Sequence, residues 1–246
     1  HRSSNEVYRA FIIKDMMASL HKSKIKEKIS RRPHLLFFIP LFIYFFFGLQ
    51  HLTQFETADE HLWMYDPIKG RIHNYWDAIE NRNWAATRIN DKPGITLAYV
   101  SGIGLLFEKN PEERIVERDT YFRVYNPKKT EEINFLFRLP ILIFNGLFCL
   151  FFFWIIKKLT DSDWLALIFS SLILLNPILI GISQIVNPDS LLWTFSTASF
   201  LSFLTYLKKE EKRYAILSST FLGLSLLSKY SSVMFIPFFV LTIAFH

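Results

Sequence analysis

A polytopic α-helical membrane fold is what this sequence predicts, and three observations carry the prediction. The first is composition: 26 of 246 residues are Phe, aromatics make up 17% and hydrophobics 51%, with only 8 Gly. That is too apolar for an ordinary soluble domain of this length. The second is a set of four apolar runs, 35–52, 133–156, 164–186 and 190–207, each near the roughly 20 residues that cross a hydrocarbon core of about 30 Å. The third is charge placement. If each run crosses once, "KKLTDSD" (157–163) and "KKEEKR" (208–213) fall on the same side as residues 1–34, where nine Lys/Arg face three acids.

Lys/Arg-rich connections stay in the cytoplasm, so the elements follow in order. Residues 1–34 are a cytoplasmic basic segment, and 35–52 form the first transmembrane helix. Residues 53–132 are an outer loop with juxtamembrane helices, and 133–246 hold transmembrane helices two to five or six. The protein is expected in the inner or plasma membrane as a multi-pass chain. Its net charge of +6 is then anchor charge, with no call for nucleic acid. In the outer loop Ile72, Tyr75, Trp76 and Ile79 recur at i, i+3, i+4, i+7, the face of a helix laid on a membrane surface. The 14-residue run 94–107, "GITLAYVSGIGLLF", is too short to span and reads as interfacial or partly inserted. Residues 108–132, charged and aromatic, read as a solvated excursion or a small subdomain. The runs 214–227 and 233–245, parted by "SKYSS", allow either one kinked span or two short helices.

Cys149 stands alone, so there is no disulfide framework and no cysteine-based metal site. No small-residue cleavage site follows the first run, which argues against a cleavable signal. The chain starts without Met and stops inside an apolar run, which reads as part of something longer with a natural start at Met16 or Met17.

The chemical candidates are few. "TADE" (57–60) fits the capping box, with Thr57 as N-cap and Glu60 at N3. Asp59 is not needed by that box, although an acid in a first helical turn also complements the dipole. "NPDSLL" repeats the arrangement, with Asn187 able to cap, Pro188 at N1 and Asp189 in the first turn. The topology puts Asp59 and Asp189 at outer-side helix starts. Arg138, early in the second span, reads as either a snorkelling residue or a ligand for an anion. Lys229, between two apolar halves, marks a turn or a binding site. "NDKPG" (90–94) is a turn by its Pro-Gly step, and Lys92, beside Arg88 on the outer surface, can meet a lipid phosphate. "DSD" (161–163) sits in a short turn and reads as a helix cap. There is no phosphate loop, G-x-S-x-G or H-E-x-x-H, and the seven His show no metal spacing.

Taken in order, "ADEHLW", "NDKPGITLAYVSGIGLLF", "FLFRLPILIF", "NPDSLL" and "GLSLLSKYSSVMFIP" resemble the polytopic glycosyltransferases of the GT-C class. They come closest to the bacterial aminoarabinose transferases and the protein O-mannosyltransferase-like branch. The resemblance covers about residues 35–246 and lies in the succession of weak motifs. It implies a polyprenyl-phosphate sugar donor, an active site on the non-cytoplasmic side, a lipid, glycan or protein acceptor, and an acid in the first loop that takes the acceptor's proton. Carried over by position, Asp59 and Asp189 are catalytic, while Glu60, Lys92, Arg138 and Lys229, with Arg88 beside them, bind substrate and the donor phosphate. Three departures concern sugar and acceptor: Ser228-Lys229-Tyr230 replaces a threonine-lysine-glycine step, 108–132 is longer than in the aminoarabinose enzymes, and Asp91-Lys92-Pro93 stands where the mannosyltransferases often have histidine-proline-proline.

The implied reaction needs no cofactor, and a divalent metal is left open. A phosphate leaving group needs cations more than a general acid, a role for Lys92 with Arg138. A hydroxyl acceptor needs a base, a role for Asp59. Were the acceptor a phosphate, the base would be unnecessary. The alternative class is a non-enzymatic lipid-linked sugar transporter or lipid-binding membrane protein, in which broken helices and an intramembrane lysine mark a binding site.

Overall fold

The computed structural model describes residues 33–65, 70–88, 93–118 and 123–245. Nearly all of the basic segment, and Lys92, lie outside them. The described chain is a polytopic helical membrane protein. The first apolar run forms α1 (Pro33–Leu36) and α2 (Phe38–Leu49). One face of α2 is bare, with Phe38, Ile39, Phe42 and Phe46 exposed. The other is held by the Tyr44 hydroxyl, which donates to the Leu142 carbonyl at 3.2 Å. Its orphan C-terminal carbonyls are taken up by Gln184, whose Nε2 reaches Phe47, Gly48 and Gln50 at 3.1, 3.1 and 2.8 Å.

The region expected to form an outer loop is more built than its charge pattern suggests. It holds α3 (Ala58–Met64), α4 (Gly70–Glu80), a 3-10 turn at Trp84–Thr87, and α5 (Ile95–Ser101) continued by a 3-10 turn at Gly102–Leu106. The face of α4 expected to lie on a membrane turns inward instead. Ile72 and Tyr75 are buried, and Trp76 Nε1 donates to the Ala98 carbonyl of α5 at 2.9 Å. An amphipathic stripe is satisfied equally by lipid or by a neighbouring helix, and here a helix supplies the cover. Residues 94–106 dock on the second span: Ser101 Oγ donates to the Phe137 carbonyl at 2.8 Å, while Tyr99, Ile103 and Leu106 stay exposed.

The excursion 108–132 is not simply solvated. β1 (Ile115–Arg118) and β2 (Arg123–Tyr125) form an antiparallel ladder, the one sheet among the described residues. Just before it Arg114 is buried against Glu108, with Nε to Oε1 at 2.6 Å and a second contact from Nη2 to Oε2. Its Nη1 donates to the Met64 carbonyl at 2.5 Å.

The second span is far longer than its apolar run, since α6 runs Pro127–Thr160. The third is broken into α7 (Asp163–Leu174) and α8 (Pro177–Ser183), bent by 54°, because Asn176 caps and Pro177 opens a new helix. The fourth is α9 (Pro188–Lys209). By length and hydropathy α6 and α9 can each cross a membrane, and the bent pair can make a third span.

The final apolar stretch is two elements, α10 (Lys212–Ser228) and a 3-10 turn leading into α11 (Phe235–Phe245). Ser196–Ser225 and Ser199–Ser218 hydroxyl pairs, at 2.6 and 3.4 Å, run α10 antiparallel to α9. Contacts of Lys229 with Asp189 and of Phe239 stacked on Phe203 run α11 parallel to α9. The chain therefore doubles back at Lys229. Small hydroxyl residues between α9 and α10 permit this close approach.

Hydroxyl and amide pairs also stitch the middle of the bundle, where Asn145 donates to Ser183 Oγ at 2.9 Å and accepts from Thr194 Oγ1 at 2.8 Å. At one end the basic connections meet. Lys208 and Lys209 reach Asp161 at 2.9 and 2.7 Å, and Lys157 reaches Asp163 at 2.5 Å. Ser162, the middle residue of "DSD", is the side chain that caps α7. At the other end lie the starts of α3 and α9 and the break at Lys229.

Candidate functional site

Glu60 and Arg138 meet at the loop end in a closed arrangement. The Thr57 capping box forms as its pattern predicts: the Glu60 amide donates to Thr57 Oγ1 at 3.4 Å and Glu60 Oε2 accepts from the Thr57 amide at 2.9 Å. The box accounts for only part of Glu60. Its Oε1 accepts from Arg138 Nε at 2.7 Å and the Val186 amide at 2.8 Å, and Oε2 also accepts from Arg138 Nη2 at 2.9 Å. The two side chains are 0% and 1% exposed.

Arg138 spends all five of its N–H donors here. Nη1 serves the carbonyls of Leu52 at 2.8 Å and Gln54 at 2.7 Å, and Nη2 serves Phe55 at 2.6 Å. Within this turn His51 and Phe55 sit at φ +60° and +54°, left-handed conformations unfavourable for bulky residues. The turn's carbonyls converge on the guanidinium, which offsets that strain. Within the described residues every Arg138 N–H and both Glu60 oxygens thus have a partner in the protein. Arg138 ties α6 to the first turn of α3.

Asp59, one residue away, is exposed at the start of α3. Its Oδ2 accepts from Asn187 Nδ2 at 3.1 Å. Asn187 caps α9 by accepting the Asp189 amide on Oδ1 at 2.9 Å. Asp189 Oδ1 in turn accepts from Lys229 Nζ at 2.6 Å, with the two side chains 39% and 30% exposed. Hydrogen bonds thus connect Asp59, Asn187, Asp189 and Lys229 at the loop end. Asp189 also lines a cavity of about 590 Å³ whose walls include Ile182, Leu192, Trp193, Phe200 and Phe235.

The Pro-Gly step closes beside Lys229. Gly94 (φ +60°) donates its amide to the Ser228 carbonyl at 3.1 Å, and Thr96 Oγ1 meets Ser228 Oγ at 2.6 Å. A Cβ on Gly94 would stand 2.1 Å from the Trp63 ring, so glycine is needed there for φ and for space. Lys92, two residues earlier, lies outside the described residues. Arg88 is exposed at the end of the Trp84–Thr87 turn, and among the described residues no contact ties it to Asp59 or Asp189. Near Asp59, burial pushes the Glu56 carboxyl upward while His61, 3.2 Å away, opposes it. Among the described residues no three His, Cys, Asp or Glu side chains cluster as a metal site.

A family model for dolichyl-phosphate-mannose-protein mannosyltransferases matches residues 106–245, more than half of the chain. The chain belongs to that family. It is accordingly a membrane glycosyltransferase of the GT-C type. The matched stretch contains Arg138, Asn187, Asp189 and Lys229 and begins after Asp59. The comparisons find no match among curated proteins or among solved structures. What reading the transferase's sequence missed is the double contact of Asn187 and the Glu108–Arg114 pair. The spacing of "NPD" hints at the cap alone, and Arg114 stands in a charge-rich stretch that gives no sign of burial.

Proposed function

We propose that this transferase moves a sugar from a polyprenyl-phosphate donor to a hydroxyl acceptor at the non-cytoplasmic membrane face, by one inverting displacement. The observation that carries the reading is Asp59. Its carboxylate is exposed, one oxygen is held by Asn187, and among the described residues no hydrogen bond occupies Oδ1. A held carboxylate with a free oxygen, linked through Asn187 to the Asp189–Lys229 pair and the cleft that Asp189 lines, suits proton removal next to a lipid phosphate. Family membership favours transfer over transport.

In this mechanism the acceptor oxygen attacks the anomeric carbon as the bond from that carbon to the phosphate oxygen breaks. Asp59 Oδ1 takes the acceptor's proton as the new bond forms. The leaving polyprenyl phosphate gathers negative charge, and Lys229 meets it with the hydrogens not spent on Asp189. The first isoprene units lie in the cleft lined by Leu192, Trp193 and Phe200, with Asp189 orienting Lys229 at its mouth. Lys92, two residues before Gly94 in the chain, is the second cation this reading assigns to the phosphate. The donor's lipid and the clustering of Lys208, Lys209 and Lys157 at the opposite end both support an outer-face site.

The test is Asp59→Asn in the full-length enzyme, assayed for sugar transfer and separately for donor binding. Transfer should fall by about 10²–10⁴-fold, the usual worth of general base catalysis, with binding retained. Transfer at the parent rate would remove the base from the mechanism.

A further inference from the structure

We infer that Asn187 is a positioning residue that aims the Asp59 carboxylate, an inference that rests on Asp59 being the base. Asn187 sits at the N-cap of α9 with extended backbone (φ −145°, ψ 141°) and is itself buried. Its amide orientation is forced from both sides. The Asp189 N–H can only donate, so Oδ1 faces it at 2.9 Å; the Asp59 oxygen accepts, so Nδ2 faces it at 3.1 Å.

A cap alone does not call for Asn. Asn, Asp and Ser serve about equally well at this position. What only the amide does is cap one helix while donating a hydrogen bond to an acid on another. Its own place is secure, because the preceding Val186 amide is locked to Glu60 Oε1 at 2.8 Å and the following Pro188 has a fixed φ. Asp59 is the opposite, an exposed side chain whose listless rotation would cost rate in a displacement that needs its oxygen beside the acceptor. One hydrogen bond from a fixed amide selects its rotamer and turns Oδ1 outward. The same amide orders the start of the helix that carries Asp189, so the base and the Asp189–Lys229 pair share one reference point.

The test compares Asn187→Asp, Asn187→Ser and Asp59→Asn with the parent enzyme, reading kcat, donor KM, the pH dependence of kcat and the melting temperature. The charged groups around this point are Glu56, Glu60 and His61 from the segment of Asp59, Arg138 of α6 bonded to Glu60, and Asp189 of α9 bonded to Lys229, and all are unaltered in the Asn187 variants. Asn187→Asp keeps the cap, and its melting temperature should fall only by what two facing carboxylates cost. Its kcat should fall about 10- to 100-fold, the scale of a misplaced reacting group, with donor KM unchanged. A second carboxylate now faces the base, so the acid limb of its pH profile should move to higher pH. Asn187→Ser keeps the cap without reach or charge, and should lose rate with a smaller move of the acid limb than in the Asp variant, since it removes a hydrogen bond to the carboxylate without adding a charge; it carries the test if the Asp variant folds poorly. If both variants turn over at the parent rate while Asp59→Asn is inactive, Asn187 is only a cap and the inference fails. If Asp59→Asn itself retains transfer, the assignment of the base fails first and the inference falls with it.

Discussion

Asp59 and Glu60 are neighbours in the chain, and so are the partners they meet, Asn187 and Val186, yet the two contacts differ in kind. Glu60 takes the Val186 amide and Arg138 in a layer without solvent, with every acceptor site and every guanidinium hydrogen used. Asp59 takes one hydrogen bond from Asn187 and stays open on its other oxygen. The inner layer is saturated and has no capacity for a ligand. The outer layer is held in place and left incomplete, which is what a reacting group requires. One turn of helix therefore carries both a saturated carboxylate and one with an open oxygen, and the first fixes the backbone from which the second projects.

Breaking the inner layer should have the largest effect. Arg138→Leu leaves Glu60 buried without its cation, and removing one partner of a buried pair costs about 3–5 kcal/mol. Thermal and denaturant melting in detergent should show that loss, with transfer falling in proportion to the unfolded fraction. A paired Glu60→Leu/Arg138→Leu variant should recover part of it, because no charge is then stranded. A stable Arg138→Leu that merely fails to bind donor would reverse the comparison and return Arg138 to the phosphate.

The outer layer should respond in function more than in stability. Lys229→Gln breaks a pair whose partners are 30% and 39% exposed, so screening by solvent limits the stability change to about 0–1 kcal/mol. Binding of the polyprenyl-phosphate donor should weaken clearly, and binding of a neutral polyprenol should not. Equal weakening of both ligands would show that Lys229 shapes the cleft without recognising charge.

The smallest effect belongs to the opposite end of the bundle. Lys209 and Lys208 hold the Asp161 carboxyl down at about 2, from an ordinary 3.8. A carboxyl lowered by folding contributes stability above its unfolded value and loses it as pH falls through the folded one. The window is therefore between 3.8 and about 2. Melting temperatures of the parent and Asp161→Asn, measured at about pH 7 and about pH 5, should differ by the same small margin at both. A gap that closes on going to pH 5 would mean that the lysines do not hold this carboxyl.

Several features were legible from local pattern. Thr57 and Glu60 sit at capping-box spacing, and the box forms because both partners lie within one turn. Pro188 and Asn187 start α9 where the N-P-D step places them. The basic clusters at 157–163 and 208–213 meet at one end of the bundle. The ends of the elements were less legible. Apolar content marks the lipid-facing length of α6, but Lys129 is buried near its start, donating to the Lys109 carbonyl and to Glu132 at 3.1 Å, so polar residues continue the helix through tertiary contacts.

By itself the sequence determined the membrane-helical class, the capped starts of α3 and α9, and the family to which the chain belongs, since each depends on composition or on residues a few positions apart. Only the tertiary structure decided that Glu60 is locked against Arg138 and that Asp59 is held by Asn187 with one oxygen open. The capping box explains part of Glu60 locally, but its contact with α6 comes from 78 residues away and that of Asp59 with α9 from 128 residues away. A guanidinium with five donors can either meet a phosphate or satisfy a buried glutamate and a strained turn. Burial makes the second choice compulsory, because an unpaired ion in that layer would be too costly to keep.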